Sequence, residues 1–106
     1  MRIILIDTNT GYIWGDSADH KGGIYNGTPE EYAAALDASL KNPLENGQQY
    51  VWSHSLSGEH GYAVYRADVN GSDAVGVVWD GQSLEMIESV ERDCQFLGYV
   101  IKSGAA

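Results

Sequence analysis

The pattern of apolar and polar residues divides the chain into six predicted strands and two predicted helices. Four apolar residues at 3–6 lead directly into Asp7, and a continuous apolar run of this kind is typical of a strand buried on both faces. Turn-forming residues at 8–11 and strand-forming residues at 12–15 follow, so these two strands are expected to form a β-hairpin. A polar loop at 16–27 then connects the hairpin to the first helix.

The first predicted helix carries the clearest local signals in the chain. Thr28 is a suitable N-cap, Pro29 fits the first helical position, and Glu31 completes a Thr-x-x-Glu capping box. Apolar residues recur at every fourth position and define its buried stripe: Tyr32, Leu36 and Leu40. The pair Asn42-Pro43 predicts the end of the helix, because the residue before a proline avoids the helical conformation.

Three further strands are predicted at 50–56, 61–68 and 74–80. A turn at 57–60 separates the first two, and Asn70-Gly71, a strong hairpin signal, separates the second from the third. The three strands are therefore expected to form an antiparallel meander.

The expected register of this meander defines a core face. Short turns place Trp52 opposite Tyr65, and Tyr65 opposite Val77. Because side chains alternate between faces along a strand, one face collects most of the apolar residues: Tyr50, Trp52, Ala63, Tyr65, Ala67, Val75, Val77 and Trp79. A slip of one residue in either turn would move these side chains to the opposite face.

The C-terminal region is predicted to contain a helix at 83–95 and a final strand at 96–101. Ser83 is a candidate N-cap, and apolar residues recur at helical spacing: Ile87, Val90, Cys94 and Leu97. The resulting order, ββ-α-βββ-α-β, predicts a single α+β domain over residues 1–106. Its sheet is expected to be mainly antiparallel, with both helices packed on one face.

Charge and composition restrict the classes of function. The 106 residues include fifteen acids, six bases and one cysteine, and the formal net charge is −9. A protein that binds nucleic acid directly normally presents a basic surface, and the scattered bases of this chain predict none. The same charge disfavours contact with anionic membranes. The single cysteine, the short apolar start and the lack of a long apolar stretch predict a cytoplasmic protein.

The triplet Asp7-Thr8-Asn9 after a buried strand resembles the opening of a PIN-type ribonuclease. In that family several carboxylates hold Mg²⁺ or Mn²⁺, so the resemblance implies a metal-dependent nuclease. A helix follows the first aspartate in that family, whereas residues 12–15 are strand-like here. The favoured interpretation is a turn in which Asp7 or Asn9 accepts hydrogen bonds from nearby backbone amides. The alternative is a small metal-dependent hydrolase that uses Asp7, Asp80 and a histidine.

The other reactive side chains show no familiar catalytic or metal-binding spacing. His20, His54 and His60 do not follow the spacing of zinc ligands. Cys94 lies on the apolar helix stripe beside Asp93, so a buried structural thiol is expected. We therefore expect no enzymatic activity, no metal and no cofactor.

The functional prediction rests on acidic residues whose charge does not serve to stabilise the end of a helix. Glu85 begins the second helix, where the helix dipole favours a negative charge. We predict a non-enzymatic binding protein that docks on a basic protein partner through five other acids: Glu88, Glu91, Asp93, Asp16 and Asp19. Tyr12 and Trp14 are expected to add apolar contacts.

An array of carboxylates can imitate the phosphates of a nucleic acid. By functional analogy, the protein is predicted to be an inhibitor of the phage or plasmid anti-restriction or anti-CRISPR type. A further alternative is an accessory subunit that forms a homodimer through an open sheet edge.

Overall fold

The computed structural model describes residues 1–19, 27–56 and 60–103. Within these ranges the chain forms a five-stranded sheet, a small separate hairpin, two α-helices and a 3₁₀ turn at Ser17–Asp19. The strands are β1 (Ile3–Asp7), β2 (Ile13–Asp16), β3 (Gln49–Ser53), β4 (Gly61–Arg66), β5 (Asp68–Val69), β6 (Ser72–Asp73) and β7 (Gln95–Ser103). The helices are α1 (Pro29–Ser39) and α2 (Leu84–Asp93).

The sheet has the order β2-β1-β4-β7-β3, and each neighbouring pair is antiparallel. β4 lies at the centre between β1 and β7, while β2 and β3 form the edges. The separate hairpin pairs β5 with β6 around Asn70 and Gly71, whose φ angles of 55° and 79° are left-handed. The predicted α+β class, the antiparallel sheet and the hairpin at this Asn-Gly pair are confirmed.

The N-terminal hairpin and the first helix form where the sequence predicts them. The turn after β1 is closed by the Gly11 amide, which donates to the Asp7 carbonyl at 2.8 Å. Thr28 caps α1 reciprocally: its hydroxyl accepts from the Glu31 amide, and the Glu31 carboxylate accepts from the Thr28 amide, both at 3.2 Å. Lys41 then adopts a left-handed φ of 61°, which turns the chain away from the helix.

The two helices cover opposite faces of the sheet. Alternate side chains of β1 belong to two different buried clusters: Ile3 and Leu5 to one, Ile4 and Ile6 to the other. The first cluster includes α1 residues and the second includes α2 residues: Tyr32 and Leu36 against Ile87 and Val90. The expectation that both helices pack on one face is thus corrected. The reason lies in β1, whose consecutive apolar side chains need an apolar layer on each side.

The predicted three-stranded meander does not form. Trp52 pairs with Val100 of β7, and Tyr65 pairs with Phe96 of β7 and Ile4 of β1. The final strand has therefore inserted between β3 and β4, which are neighbours in the sequence. The short connection between β3 and β4 does not make them neighbours in the sheet, because the long strand β7 pairs with each of them.

Residues 74–80 consequently lie outside the sheet. Both edges of β4 are occupied, so these residues run as an irregular connection between β6 and α2. Three of them still pack against the cluster beneath α2: Ala74, Val75 and Val78. Two residues that the meander pattern predicts on the core face are instead on the surface, since Val77 is 71% and Trp79 is 77% exposed.

The second helix is amphipathic and begins as predicted. The Ser83 hydroxyl accepts from the Met86 amide at 3.4 Å, and Ile87 and Val90 are buried. Cys94 follows the helix as a buried free thiol, and burial raises its pKa, so the predicted structural thiol is confirmed. No helix among the described residues is long and apolar enough to cross a membrane.

Candidate functional site

Residues 74–81, here called the bridging segment, are attached to the sheet at both ends. At the first end, Nη1 and Nη2 of Arg2 donate to the carbonyls of Val75 and Gly76, at 2.8 and 3.0 Å. Arg2 immediately precedes β1, so its guanidinium group fixes the start of the segment against the central part of the sheet.

The second attachment joins the bridging segment to β2. The Ile13 amide donates to the Gly81 carbonyl at 2.8 Å. A Cβ atom at Gly81 would overlap the Ile13 carbonyl oxygen, so only glycine permits this close approach. The segment is therefore held at two points and spans the surface between them.

Arg2 is itself held by Asp16. Its Nε and Nη2 atoms donate to the two carboxylate oxygens at 3.0 and 2.6 Å, and both side chains are more than nine-tenths buried. This hydrogen bonding raises the pKa of the guanidinium group. Asp73 adds a longer contact, 3.3 Å, from a side chain that is 60% exposed. Asp16 is therefore buried in an ion pair and is not on an exposed surface, and its docking role stays a prediction.

A groove of 350 Å³ separates the bridging segment from α2. One wall is formed by residues 74–79, and the other by five residues of the helix: Glu85, Met86, Ser89, Val90 and Asp93. Val77 and Trp79 lie on this groove with most of their surface exposed, and the nearby Leu84 is 68% exposed. Tryptophan is usually largely buried, so an indole presented in this way marks a candidate contact surface.

The acidic residues of α2 fall into two groups. Glu85 and Asp93 line the groove on the same helical stripe as Ser89, at four-residue spacing. Glu88 and Glu91 are exposed on α2 outside the groove lining. Of the predicted docking acids on this helix, only Asp93 therefore faces the groove. The sequence does not predict a contact role for Glu85, because the helix dipole alone accounts for an acidic residue at the start of α2.

Tyr12 and Trp14 lie beside the groove rather than in it. Together with Trp79, Asp80 and neighbouring backbone they line a depression of 290 Å³, here called the aromatic depression. Their exposed fractions are 40% and 42%, and the Trp14 indole donates to the Thr10 hydroxyl at 3.2 Å. Trp79 borders both concavities, so the structure brings the two predicted aromatic residues next to the groove.

Some residues that the sequence singled out are not described. Asp19 ends the 3₁₀ turn, but its side chain lies outside the described part of the structure. His20 and residues 57–59, which include Glu59, also lie outside it. The docking role assigned to Asp19 stays a prediction, as do the roles of Glu88, Glu91 and Asp93.

The tip of β1 shows how Asp7 is used. Its Oδ1 atom accepts from the amides of Asn9 and Thr10, at 2.8 and 3.0 Å, which confirms the predicted turn. Its Oδ2 atom lies 3.1 Å from Nε2 of His60. Burial alone would raise the pKa of Asp7, but the hydrogen bonds from His60 and the two amides outweigh it and hold that pKa below its ordinary value.

A second buried carboxylate lies next to this pair. Asp37 accepts hydrogen bonds from the hydroxyls of Tyr50 and Tyr62, at 2.5 and 2.7 Å, and its carboxylate is 3.5 Å from Nζ of Lys102. Asp37 lines a pocket of 230 Å³, here called the β1-tip pocket, whose walls include several other side chains: Asp7, Trp14, Leu40, Asn42, His60 and Tyr62. Both carboxylates are fully engaged by neighbouring groups.

The predicted catalytic set for a metal-dependent hydrolase is only partly brought together. Asp7 meets a histidine, His60, but Asp80 lines the aromatic depression and its Oδ1 atom accepts from the Gln82 amide at 3.0 Å. Among residues 1–19, 27–56 and 60–103, no three aspartate, glutamate, histidine or cysteine side chains are placed to hold one metal ion.

The fold and the groove together define a small acidic α+β domain with a groove lined by apolar side chains and by carboxylates of α2. Comparison with family models, curated proteins and solved structures finds no match. The function is therefore inferred from the chemistry of these surfaces.

Proposed function

We propose that the protein is a non-enzymatic binding protein whose groove receives a basic protein partner. The observation that supports this most strongly is Trp79, which is 77% exposed on a groove that also presents Val77 and carboxylates of α2. Exposed tryptophans are frequent energetic centres of interfaces. A groove that combines apolar side chains with carboxylates suits a partner that combines apolar and basic side chains.

The charge balance around α2 supports a basic partner. Four of the six basic residues are already paired with carboxylates: Arg2 with Asp16, Arg66 with Asp68, Arg92 with Asp93 and Lys102 with Asp37. Glu85, Glu88 and Glu91 form no ion pair with any other described residue. The helix therefore presents uncompensated negative charge, which accelerates association with a positively charged surface.

The same features support the predicted inhibitory role. A surface that normally holds nucleic acid is basic and accepts an acidic competitor. In this proposal Glu88 and Glu91 steer the encounter from outside the groove, while Glu85 and Asp93 contact the bound partner. The protein would act as an inhibitor of the anti-restriction or anti-CRISPR type by occupying such a surface.

Two double variants with equal changes in charge test the site. Glu85→Gln/Asp93→Asn neutralises the groove acids, and Glu88→Gln/Glu91→Gln neutralises the outer acids of α2. The partner is isolated from the native host on the immobilised wild-type protein, purified, and measured for Kd, association rate and salt dependence with each variant. The groove variant should raise Kd about tenfold, whereas the outer variant should mainly slow association and weaken its salt dependence.

Trp79→Ala is the third variant of this experiment. Because the indole is mostly exposed, its removal should leave the melting temperature nearly unchanged, yet it should raise Kd about tenfold or more. If neither Trp79→Ala nor the groove double variant changes the affinity, the proposed docking site is wrong. Thermal unfolding of every variant confirms that the fold is retained.

A second candidate function is favoured by the contact between Asp7 and His60. A carboxylate that orients an imidazole is one arrangement of a general base, and the adjacent β1-tip pocket has space for a small substrate. The alternative expected from the sequence is a small hydrolase or nuclease that uses Asp7 with a metal, for which the described residues supply no set of three ligands. Mg²⁺, Mn²⁺ and Zn²⁺ are each titrated while the melting temperature is followed. A rise that disappears in Asp7→Asn supports this alternative, and no rise with any of the three overturns it.

A further inference from the structure

We infer that the partner binds as an added β-strand along residues 77–79 of the bridging segment. This inference rests on the proposed function and specifies how the groove is filled. In such binding, main-chain hydrogen bonds supply much of the affinity, and alternate side chains of the added strand enter the neighbouring groove.

The backbone of Val77, Val78 and Trp79 has unused hydrogen-bonding capacity. No N–H or C=O group of these three residues bonds to another described residue, whereas the residues on either side are bonded. Arg2 holds the carbonyls of Val75 and Gly76, and Gly81 is fixed to β2. Residues 77–79 therefore lie between two attached points of the chain, and their backbone groups make no hydrogen bond to another described residue.

The local sequence favours a strand at this position. Residues 75–79 read Val-Gly-Val-Val-Trp, and valine and tryptophan are among the residues most common in strands. The sheet cannot accept this segment beside β4, because β1 and β7 occupy both edges of that strand. Residues 77–79 thus pair with no strand among the described residues, and unpaired backbone groups of this kind can pair with a strand of another chain.

The expected occupant is an extended segment of a partner protein in which basic and apolar residues alternate. Its basic side chains would face Glu85 and Asp93 on the groove, and Asp80 directly follows the free backbone. Its apolar side chains would contact Val77 and Trp79. A second copy of this chain does not meet the same requirement, because it would place two chains of net charge −9 against each other.

Amide exchange measured by NMR on the ¹⁵N-labelled full chain tests the inference. The probe is a synthetic peptide of alternating lysine and valine, and the control is a peptide of the same composition with its valines consecutive. Successive residues of a strand point their backbone groups to opposite edges. The alternating peptide should therefore slow solvent exchange about tenfold at either Val77 and Trp79 or Val78, but not at all three.

The outcomes separate this inference from the proposed function. Strand addition is overturned if the alternating peptide changes the chemical shifts of the groove residues without slowing amide exchange at alternate residues of 77–79. It is also overturned if that peptide changes none of these chemical shifts. The docking proposal is judged separately, by the effect of Trp79→Ala on the isolated partner. Alternating protection that appears without peptide, and rises with protein concentration, identifies a second copy as the occupant and also overturns the inference.

Discussion

Arg2 and Asp16 form a buried ion pair that connects the N-terminal hairpin to the bridging segment. Two guanidinium nitrogens contact the two carboxylate oxygens at 3.0 and 2.6 Å, and the guanidinium group also donates to two carbonyls of the segment. One end of this groove wall is therefore fixed to the sheet by Arg2, and the other end by the hydrogen bond between Ile13 and Gly81. The position of the candidate site depends on an ion pair whose residues do not themselves line the groove.

Asp16→Asn should destabilise the protein strongly, because it leaves the buried charge of Arg2 without its main partner. Loss of one member of such a pair typically costs about 3 kcal/mol. Asp73→Asn is the matched control, since this carboxylate also contacts Arg2 but is mostly exposed, and it should cost less than about 1 kcal/mol. Urea denaturation measures both free energies of unfolding. Equal losses in the two variants would contradict the dominant role of Asp16.

Gly81→Ala should detach the second end of the bridging segment. The added Cβ would overlap the Ile13 carbonyl, so the hydrogen bond between these residues must lengthen or break. We expect a loss of about 2 kcal/mol in the free energy of unfolding and weaker binding of the partner. Gly76→Ala is the control, because a Cβ atom at this position would meet nothing within 4 Å, so the stability should be nearly unchanged. An unaffected affinity in a folded Gly81→Ala variant would show that this attachment does not shape the groove.

Asp7 should make the stability of the protein depend on pH on the acid side. Its folded-state pKa is held below the ordinary value of 3.8, so the folded state binds this proton less readily than the unfolded state. The stabilisation is present above the unfolded pKa and is lost as the pH falls through the folded pKa. The free energy of unfolding should therefore fall less steeply below about pH 4 in Asp7→Asn than in the wild type.

Asp80→Asn provides the control for this pH dependence. Asp80 also accepts a nearby amide in a turn, but it is exposed and has no histidine partner among the described residues. Urea unfolding of the wild type and both variants is measured at several acidic pH values. If Asp7→Asn keeps the slope of the wild type, the contact with His60 does not stabilise the ionised carboxylate.

Tyr50 and Tyr62 should resist ionisation until the protein unfolds in alkali. Burial and the hydrogen bonds to Asp37 raise the pKa of both hydroxyls far above the ordinary value of 10.0. The folded state keeps these protons where the unfolded state releases them, so stability is complete below about pH 10 and declines above it. Tyrosinate absorbance followed against pH should show an early phase from exposed tyrosines and a late phase that coincides with unfolding.

A phenylalanine variant assigns the late phase. Tyr62→Phe should remove amplitude from the late phase, and it should also cost about 1 kcal/mol because one hydrogen bond to Asp37 is lost. Loss of early amplitude in Tyr62→Phe would contradict the burial of its hydroxyl.

The local elements could be predicted because their signals are contained in short stretches of sequence. Thr28 and Glu31 bond to each other across three residues, and Asp7 binds amides two and three residues away. Such contacts form wherever the chain is locally compatible with them. The amphipathic stripe of α2 is also local, so its buried residues, Ile87 and Val90, were identified correctly.

The candidate site required contacts between distant parts of the chain. Arg2 and Val75 are 73 residues apart, and His60 reaches Asp7 across 53 residues. No local sequence pattern predicts that Asp16 forms a buried ion pair with Arg2 or that Glu85 lines a groove. The strand-like sequence around Trp79 predicts a core position, yet its side chain is on the surface.

The sequence by itself determined the class of the domain, the caps of both helices, the N-terminal hairpin and the acidic character of the surface. Only the tertiary structure decided that β7 lies between β3 and β4, that the helices cover opposite faces, and that residues 74–80 are left outside the sheet. The physical reason is competition for strand edges. Each strand has two edges, and which neighbours occupy them depends on the free energy of the whole assembled sheet, to which local propensity contributes only a part.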